Sequence, residues 1–342
     1  MCIYMKASIR QISEITGFSQ ATVSNALNNK RGVNSETARQ IIETARACGY
    51  QSQKKVEGIR FVIFKSGGQV VADTPFFSAL IDGVENESRK AGYDITLLNL
   101  ESRQPDYEQK LRQLLDDPSY AILLLATEMT EKDLLPFEKC KAPIVLLDAW
   151  FEHPRFDSVL IGNTDSVCEA VQYLIDCGHE KIGYLKSKIR IQNFQYREAG
   201  LLRALQKNNK SIDSDFVFSL TPTMEGAHLD MSTLLAPKPS LPTAFFADND
   251  IVALGAMKAL IEYGVKIPKD VSIIGFDDLP FCKISTPRLT SIRVNKKEMG
   301  SMAVQRLVER INKGDQNVHA KIEICNTLIK RDSVALRAPV AS

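Results

Sequence analysis

The sequence predicts an α/β fold in which a small, all-helical head precedes two doubly wound parallel-sheet lobes. Three observations carry this. The first fifty residues hold three short helical patterns separated by glycines; beyond residue 58, strand-length apolar runs alternate with amphipathic helical stretches; and 342 residues exceed one ordinary domain. Hydrophobic residues make up 44% and charged residues 25%, the balance of a globular chain rather than a disordered one. The longest apolar runs, such as Tyr120 to Ala126, are far shorter than the ~18 residues of a membrane helix. Met1 to Arg10 has no apolar export signal, so the expected location is the cytoplasm, with no membrane partner.

The head begins with Ser8 as the N-cap of a helix carrying Ile9, Ile12 and Ile15 on one face, and Gly17 ends it. A second helix starts behind Ser19 and buries Val23, Ala26 and Leu27, leaving Gln20, Thr22, Ser24 and Asn25 on its polar face. After Lys30-Arg31-Gly32, a third helix starts near Asn34 or Ser35, buries Ala38, Ile41, Ile42, Ala45 and Cys48, and stops at Gly49. Two helices across a glycine-bearing turn, with a third packed behind, form the helix-turn-helix plan. Charge agrees with a nucleic-acid contact. Residues 1–58 hold eight Lys/Arg and four Glu, leaving 35 basic and 37 acidic residues of the chain's 43 and 41 to the remainder. Hydroxyl side chains suit phosphates, and Asn or Gln can bind adenine bidentately in the major groove.

In the body the expected strands are Ile59–Phe64, Ile95–Leu98, Ala121–Leu125, Ile144–Leu147, Ile182–Leu185, Phe216–Phe218, Thr243–Phe246 and Val271–Gly275, with helices such as Phe77–Ala91, Ser166–Cys177 and Asn249–Tyr263 between them. This order implies parallel sheets covered by helices, with ligands at the carboxyl ends of the strands. Seven scattered cysteines without a CxxC pair, and four separated histidines, argue against a disulfide framework and a metal site. No cofactor is expected. Asp248, Asp250, Asp277 and Asp278 invite a catalytic reading, but no phosphate loop, GxSxG elbow or nucleophile–base spacing accompanies them.

The run ITGFSQATVSNALNNKRGVNSETARQII, with its terminal CGY, closely resembles the DNA-binding domain of the lactose-repressor (LacI/GalR) family. The likeness continues through DTPFFSALIDGVENESRKAGY, CGHEKIGYL, the RxxG of Arg197–Gly200, FADNDIVALGAMKAL and PKDVSIIGFDDLPF, which resemble the family's periplasmic-binding-protein type I core. The resemblance implies that Ser19 caps the second helix and that Gln20, Ala21 and Asn25 face base edges, while Thr22, Ser24, Asn28, Asn34 and Thr37 hold phosphates or cap helices. Asn25 stands where the family usually has Arg, which predicts a half-site with adenine in place of guanine. It also implies a ligand site of Phe76, Phe77, Asp148, Arg197, Asn249 and Asp277, with Trp150 either stacking on the ligand or covering a loop. The implied ligand is a sugar or related metabolite, held by converging Arg, carboxylate and amide groups against aromatic faces. Lys186, Lys188 and Arg190, near Arg197, leave an anionic ligand open.

The expected division is a head at 1–50, a linker at 51–58 about half the family's usual length and lacking its hinge helix, and a core at 59–342. Within the core, the expected N-lobe is 59–162 with 293–323 and the C-lobe 163–292 with 324–342. The function so implied is a repressor acting as a homodimer on a palindromic operator of double-stranded DNA, controlled by a small effector bound between lobes. A sugar-binding protein without autonomous DNA binding, and more remotely a sugar-acting enzyme, remain alternatives.

Overall fold

The computed structural model describes residues 8–27, 32–48, 56–67, 70–71, 75–152, 156–313 and 318–337. The chain divides into two compact units after Val56. In the first, α1 (Ile9–Thr16), α2 (Gln20–Leu27) and α3 (Ser35–Ala47) enclose a small core of Ile12, Val23, Ala26, Ile41 and Ala45. Each helix starts on the polar side chain expected of it. Gln11 N–H donates to Ser8 Oγ (3.2 Å), Thr22 N–H to Ser19 Oγ (3.1 Å) and Thr37 N–H to Asn34 Oδ1 (2.8 Å). Gly17 closes α1 in the left-handed conformation at φ 74°. Ile15 departs from expectation, being 61% exposed. At about 100° per residue it lies roughly 120° round the helix from Ile9, beyond the edge of the buried stripe.

The second unit holds two six-stranded sheets. Strands β1 (Gly58–Lys65), β2 (Asp94–Glu101), β3 (Tyr120–Leu125), β4 (Ile144–Leu147), β5 (Asp157–Ile161) and β11 (Lys321–Ile324) form an all-parallel sheet in the order β11-β5-β4-β3-β1-β2. Strands β6 (Ile182–Ser187), β7 (Val217–Leu220), β8 (Ala244–Ala247), β9 (Ser272–Asp277), β10 (Thr290–Arg293) and β12 (Thr327–Ile329) form the other in the order β12-β10-β9-β8-β6-β7, with β12 antiparallel. Central strands are apolar on both faces because helices cover both, as in Tyr120–Leu125 and Ser272–Asp277, whose residues are nearly all buried. The chain passes between the sheets after β5, after β10 and again between β11 and β12.

Several expected elements change at their edges. The linker's last residue, Gly58, already belongs to β1, and Glu57 N–H donates to Ser119 O at 2.8 Å; residues 51–55 lie outside the described residues. The strand expected at Phe216–Phe218 is Val217–Leu220, because Asp213 accepts from Asp215 N–H and turns Ser214–Phe216 into a 3-10 segment.

The helices that position the cleft are α4 (Pro75–Lys90), α7 (Asn163–Asp176), α8 (Gln192–Lys207), α9 (Met224–Leu235), α10 (Asp250–Glu262) and α11 (Lys296–Lys313). Asp157, fully buried at the start of β5, accepts from Arg306 Nη2 and forms an ion pair with Arg310 Nε, each at 2.8 Å, and so fixes α11 to the first lobe.

Candidate functional site

A cleft of about 240 Å³ opens where the carboxyl ends of the strands from both lobes meet. It is lined by six of the seven residues expected there, Phe76, Phe77, Asp148, Arg197, Asn249 and Asp277. Phe76 and Phe77 sit in the first turn of α4, 6% and 8% exposed, with rings edge to face at 5.0 Å. Asp148 follows β4 and Asp277 ends β9. Both occupy left-handed backbone, at φ 64° and 111°, a strained setting that tends to mark sites where geometry matters more than comfort. Asn249 caps α10, its Oδ1 accepting from Val252 N–H at 3.0 Å.

Arg197 organises the cleft. It is 3% exposed; its Nε donates to Asn163 Oδ1 (2.9 Å) and its Nη1 to the backbone oxygen of Asp248 (2.6 Å). The guanidinium lies 3.6 Å from the centroid of the Phe276 ring, and Nη2 stands 3.7 Å from Asp277 Oδ1. That oxygen is buried without a hydrogen-bond partner. Asp148 is satisfied differently: Thr127 Oγ–H donates to Oδ2 (2.7 Å) and Asn193 Nδ2–H to Oδ1 (3.0 Å), while Asn163 Nδ2–H donates to Asn193 Oδ1 (3.0 Å). A continuous polar chain therefore runs from Thr127 and Asp148 in one lobe to Arg197 and Asp277 in the other.

Burial pushes the Asp148 carboxyl up to about 6, against the pull of Thr127, Arg197 and Asn193. Asp250, buried beside Asp277, is pushed up to about 7 by burial and by that neighbour's charge. Burial likewise raises Asp248 and Asp277. These acids keep protons in the folded chain that the unfolded chain releases, so they make stability fall as pH rises from about 4 to 7. Paired acids such as Asp278 and Asp230 are held below their ordinary value despite burial, and their contribution is lost only as pH falls below about 4. His179, lowered by burial and by Arg337, opposes the first group below pH 6.5, one residue against four. Urea midpoints measured from pH 4 to 8 should therefore be highest at the acid end of that range and fall as pH rises toward 7. A steady rise to pH 8 would contradict these assignments.

Trp150 lies outside the lining. Its ring stacks on Tyr196 at 6.0 Å with Lys321 Nζ 3.7 Å from its centroid. The basic loop after β6 does not gather as an anion site either. Lys186 pairs with Glu198 (2.7 Å), Lys188 with Asp230 (2.7 Å), and Arg190 with Glu198 (3.0 Å) and Asp248. Thr127, Asn163 and Asn193 are cleft or network residues that motif matching passed over. Each follows a strand end or begins a helix at the cleft, so the rule of ligands at strand carboxyl ends was the signal available. Among the described residues no cluster of His, Cys, Asp and Glu could hold a metal ion, and no helix is long and apolar enough to cross a membrane.

In the head, Gln20 and Ala21 are exposed at the start of α2, Ser24 and Asn25 are half-buried on the side away from Val23 and Ala26, and Thr22 is half-buried on the side of Ala26. Ser19 and Thr22 hydroxyls bond to each other at 2.9 Å, and Ser19 and Asn34 are exposed caps with Thr37 beside the latter. Asn28 lies outside the described residues.

A family model described as a periplasmic binding protein-like domain matches residues 171–334. The HTH-type transcriptional repressor PurR of Mannheimia succiniciproducens is 31% identical over 332 residues, covering 96% of this chain and 98% of that one. Among solved structures, a complex of the transcriptional regulator CelR with cellobiose aligns with a TM-score of 0.72 at 22% identity, over 96% of this chain and 99% of the other. The lac repressor dimer bound to operator and the anti-inducer ONPF aligns with a TM-score of 0.69 at 20% identity, over 97% and 100%. Matched over nearly its whole length by a named repressor, with a helix-turn-helix head and a two-lobed cleft, the chain belongs to the LacI/GalR family of transcriptional repressors.

Proposed function

We propose that the cleft binds a small, uncharged, hydroxyl- or N–H-rich metabolite, a sugar or a molecule of similar size, and that its binding changes the grip of a homodimer on a palindromic operator. The observation that carries the reading is Arg197, which links Asn163 and Asp248 beside the unpartnered Asp277 Oδ1. An acceptor and a guanidinium side by side suit neighbouring hydroxyls or the edge of a base, and Phe76 and Phe77 supply the apolar face. A volume of about 240 Å³ is below the usual 300–1,000 Å³ of drug-sized sites and favours a compact ligand. Committed pairing of Lys186, Lys188 and Arg190 speaks against a phosphorylated one. Cellobiose in the CelR complex supports the sugar class, and the operator-bound lac repressor dimer supports the assembly.

In this reading Phe76, Phe77, Asp148, Arg197, Asn249 and Asp277 form the effector site, and Ser19, Gln20, Ala21, Thr22, Ser24, Asn25, Asn34 and Thr37 form the DNA-facing set. Ligand shifts DNA affinity only by binding one arrangement of the lobes better than another. The protein works in the cytoplasm, where operator and metabolite meet.

Selection of bound sequences from random DNA, at stated salt, tests the DNA half. A palindrome with adenine at the position read by Asn25 is expected, and Asn25→Ala should relax that position by about 1–3 kcal/mol of discrimination. Selection of guanine there by the wild-type protein would sink the assignment. A thermal-shift panel of pentoses, hexoses and nucleobases tests the ligand half, the expected result being stabilisation by one class and none by its phosphate ester.

A further inference from the structure

The turn after β3 holds both walls of the first lobe's side of the cleft. Thr127 orients Asp148, as described, while Glu128 turns to the loop that follows β1. Its carboxylate, in a residue only 7% exposed, is met by backbone amides in two pairs. Oε2 accepts from Ser66 N–H (2.7 Å) and Gly67 N–H (3.1 Å), with Ser66 Oγ at 3.4 Å. Oε1 accepts from Val70 N–H (3.1 Å) and Val71 N–H (2.8 Å). Four N–H groups converging on one anion make a nest of the kind that elsewhere binds free phosphate or carboxylate. Here the chain supplies the anion itself.

The loop so held leads into the cleft. Val70, which donates to Glu128, is a lining residue, and five positions after Val71 begins the Phe76–Phe77 pair that forms the cleft's aromatic wall. We propose that Glu128 is a positioning residue of the effector site: by filling the nest it fixes the backbone of Ser66, Gly67, Val70 and Val71, and with them the places of Val70, Phe76 and Phe77, without touching ligand. The inference rests on the cleft being the effector site. A carboxylate is the group that meets this demand, since it offers acceptors on both oxygens. An amide of the same shape would turn an NH2 group toward one of the two N–H pairs and leave that pair unmet.

Incorporation of 4-fluorophenylalanine, with Phe76→Leu, Phe77→Leu, Phe245→Leu and Phe276→Leu to assign four resonances, gives a test that needs no ligand. In Glu128→Gln and Glu128→Ala the Phe76 and Phe77 resonances should shift or broaden, while those of Phe245 and Phe276, in the core of the other lobe, stay in place. Added formate, a carboxylate small enough to enter the emptied nest, should return both resonances toward their wild-type positions in Glu128→Ala and leave the wild-type spectrum unchanged. Should Glu128→Ala fail to fold, the isosteric Glu128→Gln carries the comparison. Unmoved Phe76 and Phe77 signals in Glu128→Gln overturn the proposal. So does movement in Glu128→Ala that formate does not reverse, because lost packing rather than the missing anion would then be the cause. Failure of the effector-site reading has a separate signature, a saturating ligand that leaves the wild-type Phe76 and Phe77 resonances unmoved.

Discussion

Arg197→Ala is expected to abolish the response to effector while leaving operator binding by the head intact. The guanidinium joins the two ends of the cleft's polar chain, donating to Asn163 and to the Asp248 carbonyl and facing Asp277. Without it Asp277, already burdened by burial, loses the nearest positive charge offsetting that burden, and Asn163 loses the donor to its Oδ1. Removing one member of a buried charged network typically costs about 3–5 kcal/mol, so the second unit should lose stability together with its ligand site. Arg197→Lys keeps the charge but neither the planar fork nor the stacking on Phe276, and should weaken effector affinity by about 100-fold, near 2.7 kcal/mol, with a smaller loss of stability. Calorimetric titration with the ligand found by the panel, beside operator binding measured in its absence, separates the effects. A normal effector response in either variant would remove Arg197 from the site.

The legible parts of this molecule are those where one stretch of chain decides the outcome. Ser8, Ser19 and Asn34 cap their helices through their own hydroxyl or amide, so residue type and position sufficed. Central strands such as Ala121–Leu125 and Ile182–Leu185 were visible because burial on both faces demands unbroken apolar runs. Four strands gave no such signal: Asp157–Ile161 and Thr290–Arg293 are mostly buried but short and begin on two polar residues, and Lys321–Ile324 and Thr327–Ile329 are partly exposed, short and mixed in character. The cleft divides the same way. Arg197 and Asp277 lie in motifs that a family likeness picks out, whereas Asn163, Asn193 and Glu128 matter because residues distant in sequence converge on them. Trp150 could stack on ligand or cover a loop as far as its residue type goes, and only the fold shows its ring stacked on Tyr196.

Gly275→Ala should be the most damaging single-methyl change in the second lobe. Gly275 lies in β9, two residues before Asp277, and a Cβ there would fall 2.2 Å from Asp250 Oδ1. That oxygen cannot simply step aside. Asp250 is fully buried, with Ser291 Oγ–H donating to Oδ1 (2.6 Å) and Leu279 N–H to Oδ2 (2.8 Å). Moving the carboxylate breaks the bond to Ser291 or to Leu279, and the second of these anchors the 277–279 segment that carries Asp277 into the cleft. Overpacking costs about 1–3 kcal/mol and an unmet buried hydrogen-bonding group about as much again. The urea midpoint should therefore fall by the equivalent of about 3 kcal/mol with little change in slope. Effector affinity should fall with it, because Asp277 Oδ1 no longer meets the ligand's donor, although no atom of residue 275 lines the cleft. The double variant with Asp250→Ala supplies the control: removing the obstructing carboxylate relieves the clash, so the two losses should be markedly less than additive. Strict additivity would place the cost of Gly275→Ala elsewhere than on Asp250.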